Sequence, residues 1–502
     1  MIPLTLAEVA RMTDGRVASR DAHIVVRAVT TDSRDAVAGA LFVALKGERF
    51  DGHDYAAAAR RAGAVGYLAE RDLPGVSGGV VVADTRRALV DLAKVVRDRV
   101  DPVVVALTGS VGKTTTKDLT AAAVGAGRST VAARGSFNNE LGVPLTCLAA
   151  EADTEVLVVE VGARAIGDVA GLMPLVRPDL AVVTAIASAH LETFRDLDNV
   201  ARAKGEIVEA LEPEGTAILN ADDIRVLALS ARTRAAVITF GRRSLVQLRG
   251  SRVPVDVLAE AVQLDRLGRA RFRARSPWGS VEVALPLAGE HHVGNALASL
   301  ATAGLLSVDL EAAAAAIASA PVSAWRSEVL EVGGVVILND AYNANPASMQ
   351  AALRTLVALA DAGRPRSGET RGRRRTWAVL GPMAELGAES RAEHEAIGRY
   401  CVRLNVDRLI VVGDEAEPIA KGAYLEGFYD EGIWQVSNVA AALEVLRAEV
   451  TPGDVVLVKS SRVAGLEAVV SGLLHALGGN EISFRDEPRD VATPGWKKEE
   501  SP

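Results

Sequence analysis

The chain has 502 residues, of which 49% are hydrophobic and 24% are charged, the proportions of an ordinary globular protein. A chain of this length is too large for one hydrophobic core, so about three domains are expected. With 56 Lys and Arg against 64 Asp and Glu, the formal net charge is −8, which gives no support to a nucleic-acid partner.

The N-terminal stretch and the cysteines indicate a cytoplasmic protein. MIPLTLAEVARMTDG has acidic residues early and lacks the basic segment with which a secretory signal begins. No uncharged apolar run reaches the roughly 18 residues that a membrane helix needs, so no membrane insertion is expected. Cys147 and Cys401 match no disulfide or metal-ligand spacing, which is typical of buried thiols in a reducing compartment.

The first predicted domain, residues 1–98, mixes short strands with alanine-rich helices. The segments HIVVRAVTTDSR and GALFVAL predict strands, and DYAAAARRAGA and RRALVDLAKVVRDRV predict helices. This combination predicts an α/β domain.

The second predicted domain, residues 99–321, alternates strands with helices. Its strands are short, continuous apolar runs, as expected where both faces of a sheet are buried: VVVALTG, STVAAR, VLVVEVG and LAVVTAI. Helical stretches separate several of them, which favours right-handed crossovers and a parallel sheet.

Within this domain, VVVALTGSVGKTTTKD (residues 103–118) is a shortened phosphate-binding loop. The usual pattern has four residues between Gly and Gly-Lys-[Ser/Thr], whereas only Ser110 and Val111 separate Gly109 from Gly112. The loop follows an apolar strand and precedes a helix, the context in which backbone N–H groups bind phosphate. The sequence therefore predicts a P-loop domain.

The side chains of this loop predict contacts with ATP. Lys113 is expected to contact the β- and γ-phosphates, and Thr114 to offer its hydroxyl to Mg²⁺. The predicted ATP-binding residues of the loop are Gly109, Ser110, Val111, Gly112, Lys113, Thr114 and Thr115.

The third predicted domain, residues 322–481, again alternates strands with helices. Its predicted strands are VVILND, TWAVLG, DRLIVVG and DVVLVKS, and this pattern predicts a Rossmann-like α/β fold. Residues 363–375, GRPRSGETRGRRR, are rich in Gly and Arg, which is typical of a flexible surface loop, with a specific anion site as the alternative. The polar stretch 482–502 is expected to be a disordered tail.

Short motifs in all three domains resemble those of the Mur ligase family, the ATP-dependent amide-forming enzymes of peptidoglycan synthesis. In the first domain, TTDSRDAVAGALFVALKGERFDGHDY is similar to the family's UDP-sugar-binding segment. The second domain contains TGSVGKTTTKD, FNNELGVPLT, EVGARAIGD, HLETF and AKGE in family order, and the third contains WR, NDAYNANPASM, GPMAELG and LVKSSR.

Within the family, the YNANP and FNNE segments are most similar to members that add D-alanyl-D-alanine to UDP-N-acetylmuramoyl-tripeptide (UDP-MurNAc-tripeptide). The resemblance implies an ADP-forming ligase that makes UDP-MurNAc-pentapeptide for the cell wall and acts as a monomer on these two small molecules. In this chemistry the substrate carboxylate attacks the γ-phosphate of ATP, and the incoming amine then attacks the acyl phosphate.

The resemblance also implies a catalytic centre with two Mg²⁺ ions. Glu160 ends the strand VLVVE at the carboxyl edge of the sheet and resembles the family's Mg²⁺ ligand. His190 resembles a ligand of the second ion, and Lys204 resembles a carbamylated lysine whose carbamate oxygens help to place a metal. A turn-capping Glu160, a packed His190 and a solvated Lys204 are the alternatives. The implied catalytic residues are Lys113, Glu160, His190 and Lys204, and the implied metal ligands are Thr114, Glu160, His190 and carbamylated Lys204.

Further ATP contacts are implied by likeness to family positions. Asn295 resembles the adenine-contacting asparagine, Arg326 resembles the arginine that moves onto the ATP phosphates, and Asp340 resembles an acidic residue that contacts the nucleotide. Because Arg326 and Asp340 belong to the third domain and the P-loop to the second, the active site is expected to be complete only after domain closure.

Substrate contacts are implied in all three domains. They are Asp32, Ser33 and Arg34 to uridine and diphosphate, Asn138 and Asn139 to the UDP-sugar or its peptide, Tyr342, Asn343 and Asn345 to D-alanyl-D-alanine, and Lys459, Ser461 and Arg462 to the dipeptide's carboxylate. A polar turn with an exposed arginine is the alternative for the first of these groups.

Some positions depart from the family pattern, and three other functions are alternatives. Ala324-Trp325 stands before Arg326 in place of Pro-Gly, and Ala185 and Pro382 replace polar residues. The alternatives are a ligase that adds a single amino acid to UDP-MurNAc-dipeptide, a folylpolyglutamate synthase and a non-catalytic nucleotide-binding regulator. The roughly 100 residues before the P-loop argue against the synthase, and the catalytic set argues against the regulator.

Overall fold

The computed structural model describes residues 1–18, 21–188, 191–248, 250–362, 373–429 and 432–479. His190, most of the Arg-rich segment at 363–375 and the predicted tail at 482–502 lie outside these ranges. Cys147 and Cys401 are both buried, as predicted. No helix in the described ranges is long and apolar enough to cross a membrane.

The first part of the chain forms a small sheet covered by helices. Its strands are β1 (Leu4–Thr5), β2 (Arg16–Val17), β3 (Val25–Val26), β4 (Ala28–Thr30), β5 (Ala40–Val43), β6 (Gly66–Ala69) and β7 (Gly79–Val81), and its helices are α1 (Leu6–Met12), α2 (Ala56–Ala62) and α3 (Thr85–Val100). In the described residues the sheet order is β2-β7-β6-β5-β4, parallel except for β2, while β1 pairs with β3. Asp84 caps α3 by accepting hydrogen bonds from the backbone N of Arg86 and Arg87.

The middle of the chain forms the largest sheet. The strands of this sheet are β8 (Val103–Thr108), β9 (Thr130–Ala132), β10 (Val156–Glu160), β11 (Leu180–Val183), β12 (Thr216–Asn220), β13 (Ala236–Gly241), β16 (Val257–Leu264), β17 (Arg269–Ser276) and β18 (Gly279–Ala288), while β14 (Leu245–Leu248) and β15 (Ser251–Pro254) pair with each other as a separate antiparallel hairpin. Its helices are α4 (Lys113–Gly125), α5 (Gly142–Leu148), α6 (Asp168–Val176), α7 (Leu191–Phe194), α8 (Leu197–Glu209), α9 (Ile224–Ala228), α10 (His292–Leu305) and α11 (Leu310–Ala318). The order is β18-β17-β16-β13-β12-β11-β8-β10-β9, parallel from β9 to β16 and antiparallel through β17 and β18.

Residues along β8 and β10 alternate between two hydrophobic cores. Val104 and Leu157 face a core shared with the first domain, whereas Val105 and Val158 face the core on the opposite side of the sheet. Because both faces are covered, these strands are apolar throughout their centres. Leu92 of α3 belongs to the shared core, so the first domain packs directly against the middle sheet.

The last part of the chain forms a third sheet. Its strands are β19 (Glu328–Val332), β20 (Val335–Asn339), β21 (Thr376–Leu380), β22 (Arg408–Val412), β23 (Ile433–Val436) and β24 (Val455–Lys459), and its helices are α12 (Pro346–Asp361), α13 (Ser390–Arg403), α14 (Glu417–Leu425), α15 (Val439–Glu449) and α16 (Glu467–Ala476). The order is β19-β20-β24-β21-β22-β23, with β19 antiparallel at the edge and the other neighbours parallel. The predicted α/β class, with parallel sheets in the middle and C-terminal parts, is confirmed.

Candidate active site

A cleft of about 1530 Å³ lies between the middle sheet and the third domain. It brings together residues that lie far apart in the sequence. The predicted site residues that line it are Ser110, Val111, Gly112, Lys113, Thr114, Thr115, Asn138, Asn139, Glu160, Asn295, Arg326, Asp340, Tyr342, Asn343, Asn345 and Lys459. Asp32, Ser33, Arg34, Gly109, Lys204, Ser461 and Arg462 are not part of this lining.

The shortened loop is built as a tight turn between β8 and α4. Gly109 has φ +152° and Gly112, which caps α4, has φ +82°, both in the range that favours glycine. A Cβ at Gly109 would stand 2.0 Å from Thr184 Oγ1, and one at Gly112 would stand 2.7 Å from Asn295 Oδ1. The loop therefore needs glycine at both positions, and its second glycine lies against the predicted adenine-contacting asparagine.

Lys113 opens α4 and extends over the loop. Its Nζ donates a hydrogen bond of 2.8 Å to the Gly109 carbonyl. Burial lowers the pKa of Lys113, opposed by the nearby Glu160 carboxylate and reinforced by the Arg326 guanidinium. Lys113, Arg326 and Glu160 therefore lie close together at the predicted phosphate site. The two cations suit a polyanion such as a triphosphate, and the carboxylate suits its metal ion.

Glu160 satisfies a physical test for a metal ligand. The residue is fully buried at the end of β10, and its Oε1 accepts a hydrogen bond of 2.7 Å from Asn138 Nδ2. Its Oε2 is buried and has no hydrogen-bond partner among the described residues. A buried carboxylate oxygen without a partner is costly, and a hard cation would satisfy it.

Lys204 lies inside the protein rather than on a solvated helix face. It is 2% exposed on α8, and within the described part of the chain no hydrogen bond or ion pair holds its Nζ. Burial is the main cause that lowers the pKa of Lys204 well below its usual value, and the positive charge of Lys113 lowers it further. The solvated alternative is excluded. His190, the other implied ligand of the second Mg²⁺ ion, is not among the described residues.

Arg326 of the third domain contacts the P-loop domain directly. Its Nη2 donates a hydrogen bond of 2.8 Å to Ser136 Oγ, and its Cζ lies 3.8 Å from the centroid of the Tyr342 ring. The neighbours Trp325 and Ser327 have φ of +60° and +49°, a conformation that costs about 1 kcal/mol or more per non-glycine residue. The backbone around Arg326 is therefore held in a specific shape by its surroundings.

Asp340 and Lys459 form a buried pair at the ends of β20 and β24. Lys459 Nζ lies 2.6 Å from Asp340 Oδ2, and it donates to the carbonyl oxygens of Asp340 at 3.3 Å and Asn343 at 2.8 Å. The remaining Asp340 oxygen, Oδ1, accepts a hydrogen bond from the backbone N of Ser327. The Lys459 ammonium thus has its donors engaged inside the domain, unlike the direct dipeptide contact expected of it.

Three other predicted substrate contacts use their side chains to hold local structure. Asn139 Oδ1 accepts from the backbone N of Gly142 at the start of α5, and Asn345 Oδ1 caps α12. Ser461 Oγ accepts from the backbone N of Ala384 and is buried. Among the predicted dipeptide residues, Tyr342, Asn343, Asn345 and Lys459 line the cleft, while Arg462 lies outside the lining with its Cζ 4.3 Å from the Trp325 ring centroid.

The predicted uridine segment lies on the first domain, outside the cleft. Arg34 forms an ion pair with Asp32, and its Nε is 2.9 Å from Asp32 Oδ1. The hydrogen bond from the Arg34 side chain is the main cause that lowers the pKa of Asp32. The segment is a charged, partly exposed turn, which is compatible with both of the alternatives given for it.

Ser136 is not among the predicted site residues, although it contacts several of them. Its Oγ is 2.8 Å from Arg326 Nη2, 2.8 Å from Tyr342 Oη and 3.3 Å from Thr114 Oγ1. A lone serine beside the FNNE motif carries no pattern that predicts these contacts, because two of them come from another domain.

Comparison with protein families matches most of the chain to Mur ligase domains. The matches are "Mur ligase family, catalytic domain" at residues 25–103, "Mur ligase middle domain" at residues 107–303 and "Mur ligase, glutamate ligase domain" at residues 325–462.

Individual relatives are similar over nearly the full length. The chain is 40% identical to the UDP-N-acetylmuramoyl-tripeptide–D-alanyl-D-alanine ligase of Mycobacterium tuberculosis (strain ATCC 25618 / H37Rv), covering 94% of this chain and 98% of that protein. It is 37% identical to the ligase of the same name from Escherichia coli (strain K12), covering 94% and 99%.

Solved structures show the same likeness. MurF from Acinetobacter baumannii matches with a TM-score of 0.79 and 31% identity, covering 94% of this chain and 99% of that chain. The MurF ligase from Thermotoga maritima, solved in complex with ADP, matches with a TM-score of 0.73 and 28% identity, covering 90% and 98%.

Proposed function

The chain belongs to the Mur ligase family, and from this premise we propose that it joins D-alanyl-D-alanine to UDP-MurNAc-tripeptide. It is an ATP-dependent ligase that forms ADP. The observation that carries the proposal is the meeting of Lys113 and Glu160 with Arg326 and Asp340 in one cleft. The names of the similar full-length ligases favour a dipeptide over a single amino acid as the second substrate.

The reaction makes an amide from a free carboxylate in two steps. The tripeptide's terminal carboxylate oxygen attacks the γ-phosphorus of ATP, the bond to the β-phosphate oxygen breaks, and ADP leaves. The dipeptide amine then attacks the acyl carbon, loses a proton, and expels inorganic phosphate. Because anions must approach each other in both steps, Lys113 and Arg326 act by neutralising charge and by positioning.

Two Mg²⁺ ions are proposed, one in this cleft beside Glu160 and one beside Lys204, which is not part of the cleft lining. Thr114 and Glu160 would hold one of them, and His190 and carbamylated Lys204 would help to hold the other. Mg²⁺ bound there would neutralise phosphate charge. Glu160 Oε2, which has no hydrogen-bond partner among the described residues, supports the first assignment, and the burial of Lys204 supports the second. A carbamate would place one negative charge, shared by two oxygens, at the end of the Lys204 side chain.

A Glu160→Gln variant is expected to weaken Mg²⁺ dependence rather than nucleotide binding. The amide keeps the shape of the side chain but removes its charge, so the Mg²⁺ concentration for half-maximal activity should rise about 10-fold or more. Titration of Mg²⁺ against binding of a fluorescent ATP analogue gives a second readout. Glu155→Gln, at an exposed ion pair with Arg128, is the matched control. An unchanged Mg²⁺ requirement in Glu160→Gln would contradict the assignment.

The substrates are allocated to the three domains at residues 1–98, 99–321 and 322–481. We assign uridine and diphosphate to Asp32, Ser33 and Arg34, and the incoming dipeptide to Tyr342 and Asn343. Arg462 supports Tyr342 by lying 5.5 Å from its ring centroid. The enzyme is further proposed to act as a monomer, and to act in the cytoplasm. Its two thiols are buried and free, as is typical of a reducing compartment.

The allocation predicts a selective effect of Arg34→Ala. Removing this guanidinium should raise the KM for UDP-MurNAc-tripeptide by about 10-fold or more, because a charge-assisted contact with diphosphate is lost. The KM for D-alanyl-D-alanine should stay within about twofold, because the dipeptide binds another domain. Arg16→Ala removes an equally exposed ion pair from the same domain and serves as the control. Equal losses for both substrates would count against the allocation.

Product analysis tests the proposed function directly. Enzyme, ATP, Mg²⁺, UDP-MurNAc-tripeptide and isotope-labelled D-alanyl-D-alanine should give UDP-MurNAc-pentapeptide that carries the label, with ADP and phosphate in equal amounts. ATP hydrolysis without a labelled pentapeptide would refute the assignment.

A further inference from the structure

The hydroxyl of Ser136 has all of its hydrogen-bonding capacity used by residues of the predicted active site. A serine hydroxyl has one proton to donate and two lone pairs that accept. Ser136 Oγ accepts from Arg326 Nη2 at 2.8 Å and from Tyr342 Oη at 2.8 Å, which leaves its proton for Thr114 Oγ1 at 3.3 Å. One side chain therefore joins the P-loop helix to two residues of the third domain.

The turn that carries Ser136 is held against α4 by the buried Lys117. Lys117 of α4 is 2% exposed, and its Nζ donates to the carbonyl oxygens of Ala133 at 2.7 Å and Gly135 at 2.9 Å. Its third partner is the Asp118 carboxylate at 2.7 Å. Because an ammonium has three donors, Lys117 is fully used in holding this turn against α4.

The same helix also holds the connection to the third domain. Asp118 Oδ2 accepts hydrogen bonds from the backbone N of Ser323 at 2.9 Å and from its Oγ at 2.8 Å. Ser323 lies between α11 and β19, three residues before Arg326. Helix α4 therefore holds both the turn that carries Ser136, through Lys117, and the segment that leads to Arg326, through Asp118.

We propose that Ser136 is a positioning residue that docks Arg326 and Tyr342 onto the P-loop helix, on a turn held in place by Lys117. The proposal rests on the proposed function, in which Arg326 neutralises phosphate charge. Ser136 acts through Arg326: docking places the guanidinium beside Thr114 and restricts the conformations of a long side chain before the reaction. Tyr342 adds its ring beneath the guanidinium and its hydroxyl to the same serine.

Kinetics of three variants separate positioning from general damage. Ser136→Ala should lower kcat by about 10- to 100-fold, because both hydrogen bonds to the third domain are lost, one of them charge-assisted. Binding of an ATP analogue should stay within about threefold, since Lys113 and the backbone of the P-loop are unchanged. Ser136→Thr, which keeps the hydroxyl, should recover most of the activity. Ser471→Ala, which removes a hydroxyl from α16 of the third domain, should behave as the parent enzyme.

Hydrogen exchange of the enzyme without nucleotide tests the docking independently of the reaction. The backbone segment 322–330 should exchange about 10-fold faster in Ser136→Ala than in the parent enzyme or in Ser471→Ala. Tyr342→Phe should produce part of this effect, and adding it to Ser136→Ala should produce little more, because both variants break the same contact.

The outcomes distinguish failure of the inference from failure of the proposed function. Unchanged exchange at 322–330 in Ser136→Ala would overturn the docking proposal whether or not the enzyme makes pentapeptide. Unchanged kcat in a folded Ser136→Ala enzyme that makes pentapeptide would overturn the positioning role. If the parent enzyme makes no pentapeptide, the proposed function fails, and the exchange result alone then decides the docking.

Discussion

Lys113→Ala should lower the rate of amide formation by about 100-fold or more while leaving the fold intact. The loop conformation is set mainly by Gly109 and Gly112, and the lysine side chain adds one hydrogen bond, to the Gly109 carbonyl. The ammonium loses hydration in the cleft, as the lowered pKa of Lys113 indicates, so its removal should not cost stability. The variant loses a cation that stabilises the negative charge in the transition state of phosphoryl transfer to the carboxylate. Such a cation lowers the activation free energy by several kcal/mol in comparable sites.

The measurement is single-turnover amide formation at saturating ATP, accompanied by thermal unfolding. Lys421→Ala, which removes an exposed lysine paired with Glu395 in the third domain, is the control and should keep full activity. Turnover close to that of the parent enzyme in a folded Lys113→Ala protein would show that the shortened loop does not bind the reacting phosphates.

Lys204→Ala is expected to bind ATP normally and to form amide about 100-fold more slowly or worse. We propose that the Lys204 amine attacks the carbon of CO₂ and loses a proton, which yields a carbamate. Only the neutral amine reacts, and an ordinary lysine is neutral roughly once in a thousand near neutral pH. The buried position lowers the pKa of Lys204 and so raises this fraction.

Chemical rescue and isotope labelling test the carbamate. Acetate or formate should partly restore Lys204→Ala by supplying a carboxylate in the vacated space, and should not restore Lys204→Arg, whose side chain fills it. Carbon-13 bicarbonate should give the parent enzyme a carbamate resonance that Lys204→Arg lacks. A fully active parent enzyme without this resonance would refute the modification.

The strands of the parallel sheets could be predicted because burial on both faces leaves a continuous apolar run. This signal located β8, β10 and β11 in the middle sheet, and β20 and β24 in the third. The antiparallel extension was not predicted. In β17, the segment RARFRARS alternates arginine with apolar residues, since one face is exposed and the other packs inward.

The catalytic candidates could be predicted where one local pattern fixes both position and chemistry. Lys113 follows a glycine turn, and Glu160 ends a buried strand, so both were placed at the same sheet edge from the sequence. Ser136 could not be found in this way, because its partners Arg326 and Tyr342 lie 190 and 206 residues further along the chain.

The asparagines show the opposite difficulty. Asn139 and Asn345 stand in motifs that suggest substrate contacts. Yet Asn345 caps α12 with its side-chain oxygen, and the side-chain oxygen of Asn139 accepts a hydrogen bond from the backbone N of Gly142 at the start of α5. Asparagine favours helix N-caps in any protein, and Pro346 directly after Asn345 is itself a signal for the first turn of a helix. The sequence therefore indicated a structural role for Asn345, as a helix cap, as well as the predicted substrate contact.

Phosphate release with a choice of second substrate tests the central claim most directly. Enzyme, ATP, Mg²⁺ and UDP-MurNAc-tripeptide are combined with D-alanyl-D-alanine or with single amino acids, and UDP-MurNAc-dipeptide replaces the tripeptide in a parallel series. The account predicts sustained phosphate release only with the tripeptide and D-alanyl-D-alanine together. Sustained release with UDP-MurNAc-dipeptide and a single amino acid, and none with D-alanyl-D-alanine, would contradict it.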